Sequence, residues 1–272
     1  MERIQAAIQK AKEARGAGAP AAPAAPPRPA VRGAPAGAGP AWAALPPFEP
    51  DPARLERGRV VTFADADPAH AVFDMMRTKL LRALKQNGWT SVGITSPTPG
   101  CGKTTVALNL AFSLAQQSEL RTVLVDLDLR HPEVARHLGL DGPRAVADML
   151  RGTAPVQETF VRYRENLAIG ASTEPTRHSG DLLNSAAATQ AVAGMRAALA
   201  PDVILYDLPP MLASDDTLAF LPHLDCMLLV AGAEKSRLDE VDRCEHELAQ
   251  STNLLGVVLN MCRYMDEDYG YY

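Results

Sequence analysis

The sequence predicts a three-layer α/β/α sandwich around a mostly parallel sheet, and three observations carry that prediction. Short β-branched and leucine-rich runs occur at 90–95, 121–126, 203–207, 225–231 and 254–260, continuously apolar as strands buried on both faces require. Segments with helical apolar spacing separate them, over 69–88, 104–116 and 182–199 and between the last two strands. The first of these strands runs directly into a glycine-rich turn that opens the next helix, the βα unit from which parallel sheets are built.

The elements follow in order. Residues 1–15, MERIQAAIQKAKEAR, place Ile4, Ala7, Ile8 and Ala11 on one side and read as a short amphipathic helix, marginal by itself because helix nucleation is costly. Residues 16–56 are mostly Ala, Pro and Gly with scattered Arg; small side chains bury little area and Pro removes backbone donors, so a disordered spacer is expected. Trp42 and Phe48 are its large hydrophobes, able to tack its end to the domain. The folded domain is expected over 57–260, beginning with a short strand at RVVTF (59–63). The helix at 69–88 presents Val72, Phe73, Met76, Leu80, Leu81 and Leu84 on one face and stops at Gly88.

Composition bounds the function. The chain has 272 residues, 47% of them hydrophobic, enough for one α/β domain and a tail. A formal net charge of -5 gives no electrostatic reason to expect nucleic acid as a partner. Cys101, Cys226, Cys244 and Cys262 lack metal-ligand spacing and read as reduced thiols of a cytoplasmic protein. The expectation is a cytoplasmic chain, since no apolar run approaches the ~18 residues of a membrane helix and no signal-peptide core opens the sequence.

The chemistry concentrates in PTPGCGKTT, residues 97–105. Gly100, Cys101 and Gly102 form a tight turn whose N–H groups face inward; Lys103 reaches the β- and γ-phosphates, and Thr104, followed by Thr105, offers a hydroxyl to Mg²⁺ at the positive end of a helix. Pro97 replaces the first glycine of the usual pattern. Two further strands end in acid: VLVDLDLR (123–130) in Asp126 and Asp128, which alternation puts on one side, and VILYDLPP (203–210) in Asp207. Unpaired carboxylates at the dry end of a sheet are expensive, and a Mg²⁺-phosphate complex accounts for them because hard cations favour oxygen ligands. These residues point to a Mg²⁺-dependent triphosphatase or kinase and do not choose between the two.

The order of these motifs resembles that of the bacterial protein-tyrosine kinases, autokinases of capsule and exopolysaccharide biosynthesis within the MinD/ParA-like P-loop ATPases. The resemblance runs from about Phe63 to Tyr272. SPTPGCGKTT is similar to the Walker A segment, VLVDLDLRHP to the second acidic motif with its Arg-X-Pro, and DVILYDLPPMLASDD to the Walker B region with its proline pair. TRHSGDLLNS (176–185) resembles the lead into the long helix, and GVVLN ends on Asn260, which lies near the nucleotide base in relatives. The resemblance implies ATP and Mg²⁺ as cofactors. It makes Lys103, Asp126, Asp128 and Asp207 the catalytic set: Asp126 as base, and Thr104, Asp128 and Asp207 on the metal.

The end of the chain extends the resemblance. Four of six tyrosines, Tyr264, Tyr269, Tyr271 and Tyr272, crowd the segment 261–272 among acidic residues and a glycine, expected to be an exposed, flexible tail. Relatives end in similar clusters that are phosphorylated between subunits. Also implied are a homo-oligomer, a membrane activator of the polysaccharide co-polymerase type that recruits the chain to the inner face of the membrane, and a tyrosine-phosphatase counterpart.

Two departures bear on this. The family's Glu-X2-Arg-X2-Arg pattern, which supports ring assembly, is matched by Ala71, Asp74 and Arg77, so only the last arginine remains. Partition and septum-site ATPases carry a lysine early in the loop where this chain has Thr98, which argues against a positioning ATPase. A catalytically weak nucleotide-binding regulator of a co-polymerase is the other alternative.

Overall fold

The structure is a computed structural model that describes residues 40–63, 69–142 and 144–262. The expected helix at 1–15, the spacer through residue 39 and the tyrosines of the tail lie outside the described residues.

The sheet strands are β1 (Ser91–Thr95), β2 (Thr122–Asp126), β3 (Phe160–Tyr163), β4 (Leu167–Gly170), β5 (Val203–Asp207), β6 (Cys226–Gly232) and β7 (Asn253–Asn260). They form one sheet in the order β3-β4-β2-β5-β1-β6-β7, parallel except where β3 runs antiparallel to β4. Two long helices, α1 (Ala69–Asn87) and α2 (Lys103–Ala115), and later α3 (Ala186–Leu199) and α4 (Leu238–Ser251), complete the three layers. Strand residues alternate between two cores: Leu124 and Leu205 face the side of α1 and α2, whereas Val123, Val125, Ile204 and Tyr206 face the side of α3 and α4. Period-2 alternation with apolar residues in both registers therefore closes both faces at once.

The α2 helix is buried almost throughout, which its sequence KTTVALNLAFSLA allows because it is apolar nearly all round. Its buried Asn109 is fully bonded. Asn109 Oδ1 accepts from the N–H groups of Val61 (2.7 Å) and Thr62 (3.1 Å), and its Nδ2 donates to the carbonyls of Arg59 and Thr105, both at 2.8 Å. That bonding corrects the expectation of a strand at RVVTF. With the donors of Val61 and Thr62 taken by Asn109, no ladder forms, and Val61–Phe63 close a 3₁₀ turn.

Three further differences have physical causes. The single helix expected over 182–199 is two, Ser179–Leu183 and α3, because Ser185 becomes an N-cap whose Oγ accepts from Ala188 N at 3.0 Å. The β3–β4 pair escaped the sequence pattern: each strand has four residues, and the link turns at Arg164 (φ 50°) without glycine or proline. Residues 40–56, read as the end of the spacer, are packed. Pro40–Ala43 and Pro52–Arg57 are short helices, the second capped by Asp51 through Ala53 N (3.0 Å) with Pro at its first position. Trp42 is fully buried and donates its Nε1–H to Leu199 O at the end of α3 (2.5 Å). Composition hid this because one indole buries as much area as several alanines.

Candidate active site

The parallel strands bring their C-terminal ends to one rim, where β1, β2 and β5 deliver the three motifs. Gly100 and Gly102 have φ of 77° and 84°, the left-handed region that glycine occupies without cost. Gly102 also starts α2, so the loop N–H groups and the positive end of the helix face the same space. A side chain at either glycine would displace a neighbour as well as strain the backbone: a Cβ on Gly102 would lie 2.2 Å from Asn260 Nδ2, and one on Gly100 2.8 Å from Lys235 Nζ. Cys101 between them is buried, its Sγ donating to Thr98 O at 3.1 Å and lying 3.3 Å from Ser236 Oγ.

Lys103 is the electrostatic centre. Its Nζ is 2.8 Å from Asp128 Oδ2 and 3.7 Å from Asp207 Oδ1. Burial works to remove its charge, but the carboxylates of Asp207, Asp128 and Asp126 outweigh burial and raise its pKa, so it is an ammonium at any physiological pH. Register pairs Asp126 with Asp207 on adjacent β2 and β5. Asp126 is fully buried, and both its oxygens accept backbone N–H groups at 3.1 Å, from Asp128 and from Val134. Burial and then the Asp207 charge push its carboxyl well above the usual range, against the Val134 bond and Lys103. Asp207 is likewise raised, to about 6, by burial, with Lys103 and the Thr104 hydroxyl opposing.

The residues fit Mg²⁺. Thr104 Oγ1 donates to Asp207 Oδ2 at 2.6 Å, while Asp207 Oδ1 is buried with no hydrogen-bond partner. A hydroxyl, an orphan carboxylate oxygen and Asp128 make an all-oxygen set for a hard cation that also takes phosphate oxygens.

Asn260, at the end of β7, donates from Nδ2 to Cys101 O at 3.0 Å, and so sits on the loop itself. The structure also joins the segments that the sequence showed only as separate likenesses. Arg130, of the Arg-X-Pro, donates from Nη2 to Asp216 Oδ1 (2.9 Å) and from Nε to Ser179 Oγ (2.9 Å), and Ser179 in turn bonds Asp216. One buried carboxylate thereby ties 176–185 and 123–132 to the Walker B region. Sequence reasoning missed two residues that touch the loop, Lys235 and Ser236. Lys235 Nζ donates to Gly100 O at 2.9 Å, from a turn after β6 that carries no recognisable spacing.

The remnant of the ring motif is occupied within the subunit. Arg77 Nη1 lies 2.8 Å from Asp74 Oδ1 and donates to Ser113 O (2.8 Å) and Ser113 Oγ (3.0 Å), linking α1 to α2.

Residues 90–271 match the family model described as "ParA: NUBPL iron-transfer P-loop NTPase". Among curated proteins, a putative tyrosine-protein kinase EpsB of Ralstonia nicotianae is 30% identical over 75% of this chain, which spans 27% of that protein. Tyrosine-protein kinase YwqD of Bacillus subtilis is 29% identical over 72% of this chain and 83% of its own length. Among solved structures, the VpsO kinase domain superposes with a TM-score of 0.63 at 30% identity, covering 78% of this chain and 97% of that domain. A phosphate loop gripping a buried lysine, two acidic strand ends and these likenesses agree: the chain belongs to the bacterial tyrosine-kinase family, within the MinD/ParA-like P-loop NTPases.

Proposed function

We propose that the chain is an ATP-dependent protein-tyrosine autokinase that modifies Tyr264, Tyr269, Tyr271 and Tyr272 between subunits and thereby regulates polysaccharide polymerisation or export. The observation that carries this reading is the Lys103 ammonium between Asp128 and Asp207, with Thr104 bonded to Asp207 and a carboxylate oxygen left open beside them. The tyrosine-kinase names of the relatives support the choice of acceptor.

In the proposed reaction Lys103 and the loop N–H groups hold the β- and γ-phosphates. Thr104, Asp128 and Asp207 are the residues that would hold Mg²⁺, whose charge neutralises the polyphosphate. A tail phenol attacks the γ-phosphorus, the bond to the bridging oxygen breaks, and ADP leaves with the electron pair. Asp126 takes the phenol proton. Its raised pKa suits a base better than an ordinary carboxylate, and its two backbone bonds fix the direction in which it accepts. Each phosphate adds about -1.5 to -2 charges to an acidic tail, which favours its release from the neighbouring site.

A separate membrane activator of the co-polymerase type, a homo-oligomer and a tyrosine phosphatase complete the proposed setting. Among the described residues no helix is long and apolar enough to cross a membrane. One observation favours a second reading, a weakly catalytic regulator: Arg77 is engaged by Asp74 and Ser113 rather than presented to a neighbour.

The test is phosphopeptide mass spectrometry of dephosphorylated protein after ATP and Mg²⁺, alone and with its membrane partner, with Lys103→Met as control. Phosphate on the tail tyrosines only with Lys103 intact supports the kinase. A tail that stays bare in both settings, while ATP is bound, favours the regulator.

A further inference from the structure

Two carbonyls of the phosphate loop are held by side chains from the far end of the sequence. Within one planar trans peptide the C=O and the following N–H point in opposite directions. Fixing the carbonyl of Gly100 therefore fixes the N–H of Cys101, and fixing the carbonyl of Cys101 fixes the N–H of Gly102. Both are fixed: Lys235 Nζ donates to Gly100 O at 2.9 Å, and Asn260 Nδ2 donates to Cys101 O at 3.0 Å.

The residues that do this come from the adjoining ends of β6 and β7, which are themselves joined by Ala233 N to Asn260 O at 2.8 Å. Glu234 takes a left-handed φ of 59°, and the turn closes through Lys235 N and Ser236 N onto Gly232 O. Gly232 approaches the loop closely, since a Cβ there would lie 3.4 Å from Cys101 Cα. Ser236 Oγ completes the contact at Cys101 Sγ. Lys235 is exposed, and its partner is a neutral carbonyl, so the ammonium brings a positive charge to the loop.

We propose that Lys235 is a positioning residue for nucleotide binding. It holds the Gly100–Cys101 peptide with its N–H toward the phosphates and adds, within the same subunit, a second cation beside the loop. This rests on the nucleotide reading of that loop. An ammonium bonded to a carbonyl gives a charge-assisted bond, stronger than a neutral one and weakened here by exposure to solvent.

The experiment is calorimetric titration of the full chain with Mg·ADP and with Mg·ATP at low and high salt, for the wild type, Lys235→Met, Lys235→Arg and Lys103→Met. Lys235→Met is expected to weaken both nucleotides about tenfold at low salt, equivalent to about 1.4 kcal/mol, with a smaller loss at high salt. Lys235→Arg is expected to stay within about threefold of the wild type. Hydrogen exchange at the amides of Cys101 and Gly102 is expected to quicken in Lys235→Met and not in Lys235→Arg. Binding by Lys235→Met within about twofold of the wild type, while Lys103→Met has lost it, overturns the proposal. Equal losses in Lys235→Met and Lys235→Arg also overturn it, because charge would then not be what matters. A wild type that binds neither nucleotide removes the nucleotide reading itself, and this proposal with it.

Discussion

Thr104 and Asp207 meet across 2.6 Å, joining the first turn of α2 to the C-terminal end of β5 through one hydrogen bond. The other Asp207 oxygen has no hydrogen-bond partner and faces the Lys103 ammonium at 3.7 Å. A fully buried carboxylate held this way carries its charge at a cost, and that cost makes stability depend on pH.

Folding raises the Asp207 pKa from 3.8 to about 6. A carboxyl raised on folding contributes stability that is complete below about 4 and is lost as pH rises through about 6. The nucleotide-free protein is therefore expected to gain from this group as pH falls from 7.5 to 5.5. Asp207→Asn should melt several degrees higher than the wild type at pH 7.5, with a flatter pH dependence. Calorimetric melting at the two pH values checks both; an Asn variant that melts lower at pH 7.5 contradicts the assignment.

Lys103→Met should do the opposite. Removing the ammonium leaves Asp128 and Asp207 facing each other without a cation, a loss of about 3 kcal/mol near pH 7.5. Acidification should restore part of that loss, because Asp207, without the ammonium that opposes its rise, takes up a proton more readily than in the wild type. Urea unfolding at pH 7.5 and 5.5 measures the difference, and equal deficits at both pH values would refute it.

Gly102→Ala meets two obstacles, a φ of 84° and a Cβ 2.2 Å from Asn260 Nδ2. The expected result is a loss of ATP affinity of at least about tenfold with only about 1–2 kcal/mol lost from the fold. Adding Asn260→Ala should relieve the clash and leave the backbone strain, so affinity in the double variant should recover only in part.

Trp42→Ala should cost about 3–5 kcal/mol, the range for removing a large buried aromatic. Nucleotide affinity of the folded fraction should not change, since the indole packs at the end of α3 rather than at the phosphate rim. A variant as stable as the wild type in denaturant would show the contact to be incidental.

The parts legible in the sequence were those that depend on local pattern. Lys103 and Thr104 follow from glycine spacing, and Asp126, Asp128 and Asp207 from apolar runs that end in acid. Five strands have near-continuous apolar runs. What stayed hidden depends on distant partners. Asn109 converts RVVTF from a strand to a turn from 47 or 48 positions away, and nothing within five residues of Thr62 announces it. Lys235 reaches Gly100 across 135 positions, and a lone surface lysine has no periodicity to betray it. Trp42 finds its pocket at Leu199, 157 positions away, out of a segment whose average composition argues against folding.

The same early segment has a consequence for how copies of this chain can stick together. Arg162, in the middle of β3, exchanges backbone bonds with Pro46 and Phe48, so that margin of the sheet is already taken. At the other margin β7 ends the described sheet, with Val257 and Leu259 exposed on it. A ribbon with one sealed side and one raw side cannot be extended indefinitely by adding strands: two raw sides that meet use each other up. Among the described residues, the sheet can therefore take on a further strand at its β7 margin and not at Arg162 of β3, which Pro46 and Phe48 already hold.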